Sequence, residues 1–253
     1  MTVYRSAPLC AGIGMEMVTV NFAYKRILLK ISGEVLSGEN GSGYDYDVVK
    51  AICQRVKTLS ENGVQVGIVV GGGNFWRGRS SGEMDRTKAD HMGMLATVMN
   101  SIMLQDTLMQ MGVQARVLTA VNMEPFAEYY MKDRAVRYLE KGRVCIFGAG
   151  TGNPFFSTDT GAALRGVEIG ADVILKATNV DGVYDKDPNK YPDAVKYDEI
   201  THEEAVIKNL KVMDSTAFSI CRDSGMKILV FNLNDYDNII RAAKGESIGT
   251  IVK

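Results

Sequence analysis

The chain is poor in histidine. His91 and His202 are the only two among 253 residues, which leaves no basis for a histidine-rich metal centre. Its five prolines are scattered, so no proline-rich linker divides it. Its four cysteines, Cys10, Cys53, Cys145 and Cys221, are far apart and form no CxxC. Cys53 falls in an expected helix and Cys145 in an expected strand. They read as buried free thiols in a reducing cytoplasm. No apolar run approaches the ~18 residues of a transmembrane helix, so no membrane partner is expected. Neither charge is in excess: 29 Lys and Arg face 30 Asp and Glu, a net charge of −1. That excludes the broad basic face of a dedicated nucleic-acid binder, but a local cluster of cations suffices for a small anion. The rest is ordinary for a globular protein, with 46% hydrophobic and 23% charged residues. The 26 glycines are clustered.

Residues 1–23 read as a disordered leader. The stretch 7–15 is only weakly apolar and follows a single Arg5, short of the basic start and longer core of a signal peptide. Met15 and Met17 are alternative starts. From residue 24 to 253, strand-like and helix-like patterns alternate as one catalytic-type domain. RILLKI at 26–31 reads as a buried strand. Val48, Val49, Ile52, Val56 and Leu59 then recur at helical spacing, after N-cap chemistry at Asp45 and Asp47 and before a stop at Asn62-Gly63. Further strands are expected at 64–70, 113–119, 143–147, 172–176, 227–231 and 248–252. Helices are expected at 90–111, 159–168, 201–210 and 213–224, with a less defined helical region at 125–141 and a polar loop at 179–191. Short apolar strands between helices imply an α/β fold, a mainly parallel sheet covered on both faces.

In such a sheet, ligands bind beyond the carboxyl ends of the strands. Glycine turns stand at three of these ends, 32–34, 71–74 and 148–154. Glycine lets backbone N–H groups approach an anion unobstructed, and a following helix N-terminus adds partial positive charge. Three such turns point to more than one phosphate group. Lys30 lies in an otherwise apolar strand end, Arg77 follows the GGGN turn, and Lys176 ends another strand. Each singly reads as a solvated strand-end charge; together they supply what phosphoryl transfer needs, cations on non-bridging oxygens.

Other familiar motifs are absent. There is no GxxxxGK[ST], HRD or DFG. GAGTG at 148–152 is followed by Asn153, which breaks the dinucleotide fingerprint and disfavours an NAD-dependent dehydrogenase. GRSSG at 78–82 matches GxSxG literally but lacks the strand a nucleophile elbow requires. His202-Glu203-Glu204 lacks the second histidine of a zinc motif and reads as a solvated helix face.

Five segments carry a resemblance: KISGE (30–34), GGGNFWRG (71–78), DHMGMLATVMN (90–100), GTGNPFFSTD (150–159) and DVILKATNVDGVY (172–184). They resemble the bacterial uridylate (UMP) kinases of the amino-acid kinase superfamily, over nearly all of 24–253. The first two motifs are shared with relatives that phosphorylate carboxylates or carbamate; the third and fourth are more specific to the UMP branch. The resemblance implies a three-layer α/β/α sandwich and ATP-dependent phosphorylation of UMP, with Mg²⁺ bound mainly through the ATP phosphates and no protein metal site. It places Lys30, Ile31, Ser32, Gly33, Gly73 and Arg77 at the ATP phosphates, and Thr178, Tyr184 and Asp187 around the ATP nucleoside. It places Gly72, Asp90, Thr151, Gly152, Asn153, Pro154, Phe155, Phe156, Ser157 and Thr158 at UMP. Lys30, Arg77 and Lys176 are expected to stabilise the transferring oxygens, with Asp159 and Asp172 orienting the lysines and the helix start. The resemblance also implies a homohexamer activated by GTP and inhibited by UTP, residues 38–43 matching the stretch tied to effector response. Ala89 stands where many members have glycine. A relative with another acceptor and a non-catalytic nucleotide sensor are the rival readings.

Overall fold

RILLKI forms β1 (Arg26–Ile31), with Ile27, Leu28, Leu29 and Ile31 fully buried. A strand apolar on both faces belongs inside a covered sheet. In the computed structural model, which describes residues 21–76, 83–210 and 213–253, β1 is the middle of nine strands. Across the sheet the order is β4 (Glu128–Tyr129), β3 (Ala115–Thr119), β5 (Val144–Gly148), β2 (Gln65–Val70), β1, β6 (Val173–Thr178), β10 (Ile228–Asn232), β11 (Gly249–Val252) and β9 (Glu199–Ile200). β11 runs antiparallel to β10, and the other neighbours pair parallel. β7 (Val183–Tyr184) and β8 (Lys196–Tyr197) form a separate antiparallel pair.

The pleat sorts alternate β1 residues to opposite cores. Ile27, Leu29 and Ile31 meet α1 (Tyr46–Glu61), α2 (Arg86–Gln110) and α7 (Asn238–Ala243). Leu28 meets α3 (Lys132–Glu140), α4 (Thr158–Glu168), α5 (His202–Ile207) and α6 (Ser215–Ser224). The mainly parallel sheet between helical layers is the expected fold class. Helix α1 shows the sequence logic most plainly. Val49, Ile52, Cys53, Val56 and Leu59 are its buried residues, and the Asp45 carboxylate accepts from the N–H groups of Asp47 and Val48 at 3.0 and 3.3 Å. Such a cap contributes roughly 1 kcal/mol.

Several elements differ from expectation. Helix α2 starts at Arg86 rather than 90, capped by Asp85, whose carboxylate accepts from the Lys88 N–H at 3.1 Å. Its polar first turn carries no apolar periodicity to read. The expected helical region 125–141 holds the short strand β4 before α3 begins. The 179–191 loop contributes β7, and α7 was not anticipated. A two-residue strand and a six-residue helix are both shorter than the window in which periodicity declares itself. Of the expected leader, residues 1–20, with Cys10, lie outside the described residues. Phe22 already packs against the core, and the Ala23 N–H donates to the Ala243 carbonyl at 3.1 Å.

Candidate active site

β1 and β6 are neighbours, yet the chain leaves β1 for β2 on one side and leaves β6 for β10 on the other. This reversal opens a crevice at the carboxyl ends of the two strands. Lys30 and Lys176 pair directly across it, in register. Both share the face of Leu28 and Ile174, the face covered by α4. Like charges directly opposite repel, and Asp159, in the first turn of α4, lies between them. Its Oδ1 is 2.8 Å from Lys30 Nζ and its Oδ2 is 2.6 Å from Lys176 Nζ. All three side chains are largely buried. Burial alone would raise the Asp159 pKa, but the two ammoniums overcome it and hold the carboxyl below its usual range. Burial, reinforced by Lys30, pulls the Lys176 ammonium below the usual lysine range against the opposing pull of Asp159.

The start of α4 is fixed from outside. The Ser157 hydroxyl accepts from the N–H groups of Asp159 and Thr160 at 3.0 and 3.2 Å. Ser157 and Thr160 in turn donate to the Asp214 carboxylate, Thr160 at 3.0 Å. Asp214 also caps α6, accepting from the Ala217 N–H at 2.9 Å. One carboxylate therefore joins two helix starts and sets where Asp159 stands. Sequence reasoning passed over Asp214; the signal was an Asp immediately before Ser-Thr at the head of an expected helix.

The glycine turns meet backbone to backbone. A Cβ on Gly33 would fall 2.4 Å from the Gly71 carbonyl oxygen, and one on Gly72 would fall 2.8 Å from Ala96 Cβ. Only glycine permits this approach of the first turn, the second turn and α2. Beyond β5, Ala149, Gly150, Gly152 and Phe155 take positive φ. Ala149 and Phe155 are strained there, and hydrogen bonds hold both. The Ala149 N–H donates to Thr97 Oγ1 at 2.9 Å, and the Phe155 N–H donates to Asp90 Oδ2 at 2.8 Å. Arg86 Nε adds bonds of 2.9 and 2.8 Å to the two Asp90 oxygens.

Two cavities flank the lysines. One of about 270 Å³ is walled by Lys30, Ser32, Gly33, Gly72, Gly73, Asp90, Thr151, Asn153, Phe156, Ser157 and Thr158 from the expected set. Trp76, Arg86, Met94 and Thr97 also line it and were not anticipated. The second, about 570 Å³, is walled by Lys176, Thr178, Tyr184 and Asp187, together with the unanticipated Lys208, Asn209 and Leu210 after α5. Gly152, Pro154 and Phe155 lie on the same loop as the first cavity's wall but outside its lining. The Ile31 side chain is fully buried in the α1 and α2 core, so what Ile31 offers is backbone, its carbonyl accepting from the Gly71 N–H at 2.9 Å. Arg77 and the GRSSG stretch lie outside the described residues.

Asp172 is a correction. It precedes β6 at the amino end, four residues from Lys176, or about 13 Å of extended chain. Its Oδ2 accepts from the N–H groups of Lys25 and Arg26 at 2.8 Å each. It fastens β1 to β6 at the end of the sheet opposite the lysines, so it orients neither them nor the start of α4. The sequence placed it within a matching motif; the strand direction removes it from the chemistry.

Cations held between two adjoining cavities at a sheet switch point define a phosphotransferase, an enzyme that moves a phosphoryl group between two bound substrates. The chain belongs to the amino acid kinase family, whose model matches residues 25–232. It is similar to the UMP kinase of Bacillus anthracis, at 35% identity and a TM-score of 0.88, covering 91% of this chain and 96% of that one. It is similar to the UMP kinase of Ureaplasma parvum, at 38% identity and a TM-score of 0.86, covering 90% and 98% respectively. The uridylate kinase of Archaeoglobus fulgidus matches at 30% identity and a TM-score of 0.69, covering 90% and 99%.

Proposed function

We propose that residues 24–253 form a UMP kinase that transfers the γ-phosphoryl group of ATP to UMP, giving UDP and ADP for pyrimidine nucleotide biosynthesis. One observation carries this reading. The Lys30–Asp159–Lys176 bridge stands where the two cavities adjoin, Lys30 lining the first and Lys176 the second. We assign UMP to the first cavity and the ATP nucleoside to the second. The UMP phosphate has a second pKa near 6 and is largely dianionic at pH 7. One of its oxygens forms a bond to the γ-phosphorus while the bond to the β,γ-bridging oxygen breaks, and ADP leaves with that electron pair. No side chain has to take a proton, which agrees with the scarcity of histidine. The barrier is the repulsion of two polyanions. Lys30 and Lys176, with the backbone N–H groups of the glycine turns and Arg77, offset it. Asp159 holds the two ammoniums apart and aimed.

Among the described residues, no group of three or more His, Cys, Asp or Glu is placed to hold a metal ion. Both Asp159 oxygens are taken by lysines. We place a Mg²⁺ on the ATP phosphates. When bound there, Mg²⁺ neutralises charge on the β- and γ-phosphates.

Self-association into a homohexamer belongs to the same proposal. The outer face of α2 exposes Met92, Leu95, Met99, Ile102 and Met109 at spacings of three, four, three and seven, an apolar seam suited to another helix. GTP as activator, UTP as inhibitor and a cytoplasmic location complete it. No helix among the described residues is long and apolar enough to cross a membrane.

A coupled assay with ATP, Mg²⁺ and UMP tests the reading, run beside CMP, carbamate and N-acetylglutamate and repeated with GTP and UTP. UDP formation with UMP as the preferred acceptor is expected. Turnover of another acceptor with none of UMP would replace the reading by a relative of different specificity, and ATP binding without turnover of any acceptor would favour a sensor.

A further inference from the structure

Asn100 lies in the middle of α2 and Asn74 closes the GGGN turn; Asn100 is fully buried and Asn74 nearly so. A buried amide is costly unless its hydrogen bonds are made, and an aliphatic side chain would fill the same space at no such cost. These two amides are saturated. Asn100 Nδ2 donates to the Gly71 carbonyl at 2.6 Å and to Asn74 Oδ1 at 2.7 Å. Asn74 Nδ2 donates to Asn100 Oδ1 at 3.1 Å and to the Gly43 carbonyl at 2.9 Å. All four amide hydrogens are used. The Asn74 carbonyl also accepts from the Gly43 N–H at 3.1 Å. The pair therefore clamps α2, the GGGN turn and the 41–43 segment to one another.

The informative bond is the one to Gly71. Its N–H already donates to the Ile31 carbonyl at 2.9 Å, so the residue is held by β1 on one side and by Asn100 on the other. A trans peptide points its N–H opposite to its C=O. Fixing the Gly71 carbonyl on Asn100 therefore fixes the Gly72 N–H in the reverse direction, away from Asn100. Gly71, Gly72 and Gly73 line the first cavity together with Lys30. A donor whose direction is set before the substrate arrives needs no reorganisation during reaction, which is where such donors gain their effect.

We propose that Asn100 is a positioning residue for phosphoryl transfer: through its bond to the Gly71 carbonyl it aims the Gly72 N–H at the phosphoryl oxygens beside Lys30, while its second bond, to Asn74, supports that rotamer without being required for it. The proposal deepens the kinase reading and rests on it. It makes the centre of α2 part of the catalytic geometry although Asn100 touches no substrate.

The test compares Asn100→Ala, Asn100→Ser and Asn74→Ala with the unaltered chain in the ATP, Mg²⁺ and UMP assay, well below each variant's unfolding temperature. Binding of UMP is followed by fluorescence of Trp76, the chain's single tryptophan, which lines the first cavity. Asn100→Ala is expected to lower kcat about tenfold to a hundredfold, with the Kd for UMP changed by less than about threefold. Asn74→Ala retains the Asn100–Gly71 bond and is expected to lower kcat less than about fivefold. Should Asn100→Ala fail to fold, Asn100→Ser, which keeps a smaller donor, must lose more kcat than Asn74→Ala does. A kcat unchanged in Asn100→Ala while Tm falls would make the clamp merely structural and overturn the proposal, as would equal kcat losses in the Asn74 and Asn100 variants. If the unaltered chain forms no UDP, the kinase reading fails first, and the two failures are distinct.

Discussion

The two cavities beside the lysine bridge are made in different ways. The first is held by hydrogen bonds that cross between elements and are mostly withdrawn from water: Asn100 to Gly71, Thr97 to Ala149, and Asp90 to Phe155. The second has Val183 and Tyr184 of β7 in its wall, and the side-chain contacts around that segment are mostly exposed. Lys196 reaches Asp181 at 3.2 Å, Lys186 reaches Asp193 at 2.6 Å, and the Tyr184 hydroxyl donates to Asp181 at 2.6 Å. Buried networks that are fully satisfied fix one geometry. Exposed ion pairs contribute about 0–1 kcal/mol and are screened by salt. With UMP and the ATP nucleoside assigned as proposed, the contrast implies that recognition of the acceptor is rigid and exacting, while the donor cavity adapts to what it holds.

The largest effects are expected at the bridge the two cavities share. Lys30→Ala should lower kcat by about two orders of magnitude or more, the scale of a lost oxyanion donor; a near-normal kcat would end its role. Asp159→Asn should be comparably inactive, and its stability should depend on pH in an unusual direction. In the unaltered chain the depressed Asp159 pKa contributes stability above about pH 4, and that stability is lost as pH falls through the folded-state value. Without the carboxylate, Lys30 and Lys176 lose the negative charge that stands between them. The Lys176 pKa, already lowered by burial, falls further below its unfolded value. Between those two values the unfolded chain binds more protons, so stability rises with pH. Asp159→Asn should therefore gain in Tm from pH 7 to pH 9 more than the unaltered chain does. Equal slopes in a thermal scan would contradict the arrangement.

Asp214→Ala should act next, and on the first cavity's side. It removes the α6 cap and leaves the Ser157 and Thr160 hydroxyls without their acceptor. The loss is about 2 kcal/mol, or roughly 4–8 °C in Tm for a chain of this size. Because α4 carries Asp159, kcat should fall about tenfold as well. A loss of Tm with kcat intact would show that α4 keeps its place without the tie. Lys196→Ala probes the other side. It breaks one exposed pair of the second cavity, and the KM for ATP should rise less than about threefold, with kcat unchanged. A tenfold change would erase the proposed contrast between a rigid and an adaptable cavity.

Much of this was legible beforehand, and unevenly so. The strands and α1 could be read because burial imposes a pattern on many consecutive residues. Lys30 and Lys176 could be read because a charge in an apolar run is conspicuous. Asp172 misled for the converse reason: linear proximity to Lys176 says nothing about the opposite ends of a strand. Asp214 and Asn100 were missed because their partners lie 54 and 29 residues away along the chain, whereas Arg86 stands one helical turn from Asp90 and was hidden only by placing the start of α2 too late. Asn100 is one polar residue in a helix apolar on two faces, and Asp214 looks like any helix cap. Which cap also carries a second helix is a tertiary fact, set by how α4 and α6 pack.

The smallest effect is expected at the cysteines, and it sharpens the comparison by separating burial from chemistry. Cys53, Cys145 and Cys221 are buried as fully as the clamp beside the first cavity. Burial pushes each thiol up to about 12. At pH 8 almost none is thiolate, and the thiolate is the reactive form. In the native protein these three should stay unmodified by an aromatic disulfide reagent over the time in which denatured protein reacts completely. Peptide mapping by mass spectrometry reads each position separately. Conversion of Cys221 to Ser should leave kcat within about twofold, because its neighbours Asp159 and Asp214 act through bonds that do not include sulfur. Rapid labelling of Cys221 alone would mean that α6 opens on its own, and the tie through Asp214 would then be too weak to hold α4.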